Sequence, residues 1–336
     1  MGQASSGMSR SGNGMIAKWI GKRVIMGTIV LIIVSFLSFF LMHAAPGNPA
    51  AAYYGGNAQT LSTAEKERIE TAFGLDQPIL YQYAVWLREA MQGNLGYSAK
   101  EGRPVATIIQ ERLPNTLQLV VGTLGIVAIA STWLGLQAGM KEGSLLDRGL
   151  SFVSIASSAI PPFWLGILFI MVFSVQLGWF PSSGMKDVRG DGGLVDRLYH
   201  MVLPLSVLVL AHVGVFARFL QENVKAEKHR YYVEVARANG VPERAIRKMI
   251  LRNAIIPYIN YVGVTIPSFF GGSIVVETLF GWSGLGQLLV KAVMVKDFPV
   301  LMGAILITGV VVVICLFVID VLMICLNPRL RRGGIV

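Results

Sequence analysis

The sequence predicts an all-α integral membrane protein with six transmembrane helices and a small helical extracytoplasmic segment. Three observations predict it: an apolar composition, charges gathered into clusters, and basic residues biased to one side. Of 336 residues, 54% are hydrophobic and 14% charged, where a soluble domain has about 25% charged. The charge clusters leave six uncharged windows, Val24–Met42, Thr116–Met140, Leu150–Phe180, Met201–Ala217, Ala254–Val276 and Phe298–Ile319. A hydrocarbon core about 30 Å thick needs roughly 20 helical residues to cross. Each window therefore reads as one span.

The first window follows Lys18, Lys22 and Arg23 and precedes Ala44-Ala45, in the manner of a signal peptide. Its apolar run exceeds the roughly 7–15 residues of such signals, so it reads as an uncleaved span. The Gly/Ser-rich stretch Met1–Gly14 ahead of it is expected to be a disordered leader. Between the first two spans, Ser62 and Glu65 offer a capping box for a helix that would stop at Gly74. A second helix would open at Pro78, bury Leu80, Tyr83, Trp86 and Leu87, and stop at Gly93. The third window is too long for one straight crossing and holds Pro161-Pro162, so it is expected to kink or to begin as an interfacial turn. The fourth is the shortest. The chain thus divides into a cytosolic tail (1–23), a first span with the extracytoplasmic segment (24–115), and a five-span core (116–326) with a cytosolic loop at 221–256. A second cytosolic tail (327–336) ends it.

Orientation follows from Lys and Arg placement. With the N-terminus in the cytosol, the inside segments hold 18 basic and six acidic residues, and the outside segments 11 and 12. The net charge of +10 is then a topology signal and does not point to nucleic acid. Both termini fall in the cytosol.

No enzyme chemistry emerges. Cys315 and Cys325 sit on one helix with Cα atoms about 15 Å apart, too far for a disulfide. His43, His200, His212 and His229 show no metal-ligand spacing, and a packing or hydrogen-bonding role suits His212, the one inside a span. The sequence has no G-x-x-x-x-G-K-[ST] phosphate loop. Gly281-Trp-Ser-Gly-Leu-Gly286 lacks dinucleotide spacing and reads as a re-entrant turn or hinge. Pro161, Pro162, His212, Glu277, Trp282 and Gly284 are the candidates for a pathway or gate. Asp320, the one acid in a span, reads as a helix-end charge pairing with Arg329 or Arg331. Ion-coupled carriers place ionisable groups at mid-membrane, and the only acid in a span, Asp320, is near the cytosolic end of the last helix.

The polar stretch Lys225–Ile255 stands out against this apolar background. Tyr231–Asn239 reads as a short helix that Gly240 can end in a left-handed conformation. Pro242 can open a second helix, running through Glu243, Arg244, Arg247, Lys248 and Arg252 until Pro257 breaks it. Small Ala236 and Ala238 permit close approach, and the basic face suits an acidic groove or anionic lipid.

Here the sequence resembles the permease subunits of ABC importers, whose cytosolic loop carries an E-A-A-x-x-x-G pattern. Glu234, Ala236 and Gly240 stand in it, with Val235 replacing the first Ala. Ala236-Arg-Ala-Asn-Gly240 and Arg252-Asn-Ala-Ile-Ile-Pro257 look like the dipeptide/oligopeptide/nickel branch. So do Pro46-Gly-Asn-Pro49, Phe73-Gly-Leu-Asp-Gln-Pro78, Gly93-Asn-Leu-Gly-Tyr-Ser98 and Arg112-Leu-Pro-Asn-Thr-Leu117. Glu277-Thr-Leu-Phe-Gly-Trp-Ser-Gly-Leu-Gly286, Lys296-Asp-Phe-Pro299 and Asn327-Pro-Arg329 complete the series. Asn48, Asn94, Ser283 and Asn239 depart from residues common in that branch.

The resemblance implies a type I importer fold in a bacterial or archaeal cell membrane. It implies a second, related permease subunit, two ABC ATPase subunits carrying the ATP and Mg, and an extracytoplasmic substrate-binding protein. Tyr232, Glu234, Ala236, Arg237, Ala238 and Gly240 would then couple the ATPases to transport, and this chain would bind no cofactor itself. Peptides are the expected cargo. Nickel or metal chelates, glutathione and glycosides are alternatives, as is an ion-driven secondary transporter or a non-transporting scaffold or channel.

Overall fold

The computed structural model describes residues 6–44, 62–72, 74, 76–98, 100–187 and 192–326. Every regular element among them is helical, with one isolated bridge between Tyr97 and Pro104. In chain order these are α1 (Ser6–Ala44), α2 (Thr63–Ala72), α3 (Ile79–Met91), α4 (Val105–Met140), α5 (Leu145–Ala159) and α6 (Pro162–Phe169). A π-helical turn (Ile170–Gln176) follows, then α7 (Leu194–Lys228), α8 (Tyr231–Ala238), α9 (Glu243–Leu279), α10 (Leu285–Val295) and α11 (Phe298–Leu326). The motif fragment at 46–49 and the whole tail from 327, with Arg329 and Arg331, lie outside the described residues, as does Phe73.

Five helices are long and apolar enough to cross a membrane, and six if α5 with α6 and its π turn, a pair bent by 99°, is counted as one broken span. The bend falls where two prolines follow one another. A residue before proline is pushed toward extended backbone, and both Ile160 (ψ 117°) and Pro161 (ψ 136°) adopt it. Pro162 then starts α6, where its missing N–H leaves no intrahelical bond unmade. The kink expected in the third window is this break.

Several helices outrun their windows. α4 begins at Val105, with Pro114 inside it, and the short fourth window is the middle of the 35-residue α7. α1 is helical from Ser6, so residues 6–14 are not the disordered leader expected of them. The largest correction concerns Pro257, which does not end its helix. α9 runs 37 residues through both Pro257 and Pro267. Each proline removes one backbone hydrogen bond, yet both sit on the exposed side while Ile250, Ala254, Tyr258, Ile266, Phe269 and Phe270 are buried. Packing of that buried face outweighs the missing bonds, as in membrane helices generally.

The chain forms two compact units. One comprises residues 1–116 with 283–313. Its core gathers Leu95, Val105, Ile108, Ile109, Leu285 and Leu288. A second cluster sets Phe39 and Met42 of α1 against Tyr83 of α3 and Met302. The capping box is made: Ser62 N–H donates to Glu65 Oε2 at 2.8 Å, and Glu65 N–H to Ser62 Oγ at 3.3 Å. α3 buries Tyr83, but Leu80 is 65% exposed, because the face that packs starts one residue earlier, at Ile79. Buried Asp297 accepts hydrogen bonds from Ser98 Oγ (2.5 Å) and Lys100 N–H (3.3 Å), which joins two of the motif fragments 199 positions apart.

The other unit comprises residues 117–282 with 314–336. Here α7 packs against both α5 and α9. Glycines set the closest approaches. A Cβ on Gly135 of α4 would lie 2.6 Å from the Ala217 carbonyl oxygen, and one on Gly214 of α7 2.9 Å from that of Val153. Trp282, Phe280, Leu119, Leu208, Val207 and Val276 form the core.

Candidate functional site

The polar segment between the fourth and fifth crossings has no free loop of any length. Residues 221–228 are the last turns of α7, α8 occupies 231–238, and α9 has begun by 243. Two carboxylates beside the α4–α5 turn hold the end of α7. Asp147 accepts from Lys225 Nζ at 2.9 Å and from the Gln221 amide, and Glu142 accepts from Lys228 Nζ at 3.3 Å and faces His229 Nε2 at 3.1 Å. Partial burial raises the Glu142 carboxyl, but the hydrogen bonds and charges of Lys228 and His229 prevail and hold it below the ordinary carboxylate range.

Tyr232 ties three helices together. Its hydroxyl donates to Glu227 Oε2 at 2.9 Å and accepts from Asn253 Nδ2 at 3.0 Å. Burial first, and the Glu227 carboxylate beside it, push this phenol above its ordinary value. Nothing in the local pattern announced the junction, since Asn253 lies 21 residues away.

The C-terminus of α8 closes as a Schellman turn. Gly240 N–H donates to the Arg237 carbonyl and Val241 N–H to that of Ala236, both at 3.0 Å, with Gly240 at φ +72°. Pro242 sits one position before α9 as its cap. Arg237 Nε donates to Glu243 Oε1 at 3.1 Å across the turn.

α8 is therefore presented in a fixed attitude. Val233 and Ala236 face inward and are buried. Tyr231, Glu234, Val235 and Ala238 are all exposed, at the i, i+3, i+4, i+7 spacing that puts them on one helical face. Glu234 has no ion pair among the described residues, and neither do Arg244, Arg247, Lys248 and Arg252 on the exposed side of α9. A short helix with an unsatisfied acid at its centre, flanked by free cations, suits a partner's cleft. Of the two small residues expected to permit close approach, Ala238 faces outward and Ala236 inward.

The pathway candidates lie on several different elements. Pro161 and Pro162 make the break before α6. His212 Nδ1 donates to the Leu208 carbonyl at 2.8 Å, and its ring stacks on Phe269 with centroids 4.1 Å apart. Glu277 and Trp282 are fully buried near the end of α9, and Gly284 is the buried cap of α10. Among the described residues no group of three His, Cys, Asp or Glu could hold a metal ion.

Residues 131–332 match the family of binding-protein-dependent transport system inner membrane components, and residues 15–120 match the N-terminal domain of such membrane components. The chain belongs to this family. The match takes in the whole of the α7–α8–α9 site and all six pathway candidates. Among similar proteins, the oligopeptide transport system permease protein AppB of Bacillus subtilis is 37% identical over 318 residues, 94% of this chain and 100% of the relative. A Brucella suis protein whose name proposes a peptide permease is 34% identical over 92% of this chain and 97% of its own. The metal-staphylopine import system permease protein CntB of Staphylococcus aureus is 34% identical over 94% and 99%. As in the rest of this family, the chain is a multi-pass permease subunit of an ABC importer.

Proposed function

We propose that this chain carries peptides across the membrane in an ATP-driven importer whose energy enters through α8. The carrying observation is the exposed face of α8, held rigid by the Tyr232 junction and the Gly240 turn and continuous with the membrane through α9. The relatives named as peptide permeases, matched over nearly their full length, support the cargo. In this reading two ATPase subunits hold ATP and Mg and receive α8 in a cleft. A second, related permease subunit completes the pathway, and a binding protein loads it from outside. ATP draws the paired α8 helices together and tips the spans outward, and hydrolysis resets them, so nucleotide and loaded binding protein bias one two-state element.

Tight recognition inside the permease would slow release, so selectivity rests mainly with the binding protein. In the reconstituted complex with its own binding protein, short labelled peptides should accumulate only with ATP, while free nickel should not. A metal chelate is the second reading, favoured by the CntB relative. Chelate uptake with peptides ignored would replace the first reading by the second, and nickel uptake lost in His212→Ala would establish bare metal.

The charge bias puts α8 and both termini in the cytosol. With Cys315 and Cys325 replaced, a cysteine at Ser62 or Ser183 should react with an impermeant thiol reagent on intact cells, and one at Ser9 only after permeabilisation. Labelling of the Ser9 site in intact cells reverses the orientation.

A further inference from the structure

The unit formed by residues 1–116 and 283–313 contains a cavity of about 540 Å³ that neither the coupling site nor the proposed pathway uses. Its walls come from α1, α3, α4 and α11. It exists because α1 is fastened at two levels and left apart from α4 between them. Toward one end Gly27 lets Val313 approach, with a Cβ there only 2.7 Å from Val313 Cγ1, and Gly309 likewise admits Leu31. Toward the other, Ser35 Oγ lies 2.9 Å from Tyr83 Oη of α3. The outward face of this stretch of α1 is bare, with Ile25, Ile29 and Ile33 all at least half exposed.

We propose that this cavity is a lateral groove that holds one acyl chain of a bilayer phospholipid. Water does not suit it. The wall is nearly all carbon, Thr28 Oγ1 donates to the Val24 carbonyl at 2.9 Å, and Ser35 is engaged with Tyr83. A buried water needs two to four polar partners. A partner's helix does not fit either: at about 10 Å across it displaces roughly 800 Å³ for every 10 Å of its length. An acyl chain is thinner, and it is the solvent on the open side. The wall from Thr28 to Ser35 is about 10 Å long at 1.5 Å per residue, shorter than the roughly 15 Å hydrocarbon depth that one acyl chain fills. Charge at the α3 end completes the fit. Arg88 follows the wall residue Leu87, is exposed, and pairs with no carboxylate among the described residues. Its guanidinium is the charge next in sequence to the groove with which a lipid phosphate would pair, and Gln110 of the wall is itself exposed.

The test uses the assembled complex in nanodiscs containing phosphatidylglycerol with a photoreactive diazirine midway along one acyl chain. Photolysis should leave adducts on both walls, in the segments Thr28–Ser35 and Leu87–Gly93. Ala90→Phe and the milder Ala90→Leu, which fill the groove from α3, should lose those adducts in proportion to side-chain size. Labelling of the bare Ile25–Ile29 face should stay unchanged. Arg88→Gln should weaken retention of the lipid through detergent exchange while leaving ATPase activity intact. Equal wall labelling in the filled variants, or a wall occupied by the second permease subunit with lipid excluded, overturns the proposal. Neither result depends on what the complex transports, so failure here is distinct from failure of the peptide reading.

Discussion

Replacing Gly240 with valine is expected to cut ATP-driven uptake by roughly tenfold or more while the binding protein keeps its affinity for cargo. Gly240 holds φ at +72° and is exposed, and a Cβ placed on it would meet nothing within 4 Å. The substitution therefore acts through the backbone alone. Left-handed geometry costs an L-residue about 1–2 kcal/mol, and a β-branched side chain is worse placed there than most. Relief of that strain would break the two hydrogen bonds that close α8 and turn Glu234 away from its partner. Asparagine tolerates the left-handed region, so Gly240→Asn should retain most of the uptake. ATPase stimulation and transport measured together in the reconstituted complex decide the matter. Full coupling in the valine variant would remove α8 from the role given to it.

Trp282→Ala should be the most destabilising single truncation in the core of its unit, by about 3–5 kcal/mol. The indole is fully buried, packed with Phe280, Leu119, Leu208 and Val276, and the Arg197 guanidinium lies 5.9 Å from its ring centroid. Removing it leaves a cavity that long helices cannot easily close. A lowered unfolding temperature and broadened size-exclusion profile in detergent are the expected readouts, with Trp282→Phe between the two. Should the alanine variant prove as stable as the parent but leak cargo, Trp282 is a gate and its burial belongs to the closed state.

What the sequence made legible was local. The Gly240 turn, the Ser62–Glu65 cap and the break at Pro161-Pro162 each rest on residues within one or two turns of each other, and each stands as read. The reading of Pro257 as a stop failed because a proline's effect depends on what packs around it, and Ala254 and Tyr258 are buried beside it. α10 went unseen, although Leu285, Leu288 and Ala292 are spaced i, i+3, i+7 on its buried face. Its glycine-rich approach drew attention away from that period. The Tyr232 junction and the Ser98–Asp297 clamp join residues far apart in the chain, and no periodicity announces such pairs.

The unbroken course of α9 has a consequence for how the two ends of this unit communicate. Thirty-seven residues of one helix make a shaft about 55 Å long, and a shaft transmits torsion as well as thrust. A helix ending at Pro257 would have let a joint absorb any twist applied beside α8. Instead, a rotation imposed at Glu243 is delivered at Leu279, next to the turn where the Phe280 carbonyl accepts from Gly184 N–H at 2.8 Å. Phase is locked along with distance. One added residue anywhere in α9 would advance the far end by about 100°, carrying its buried face toward lipid while the coupling end stayed in register.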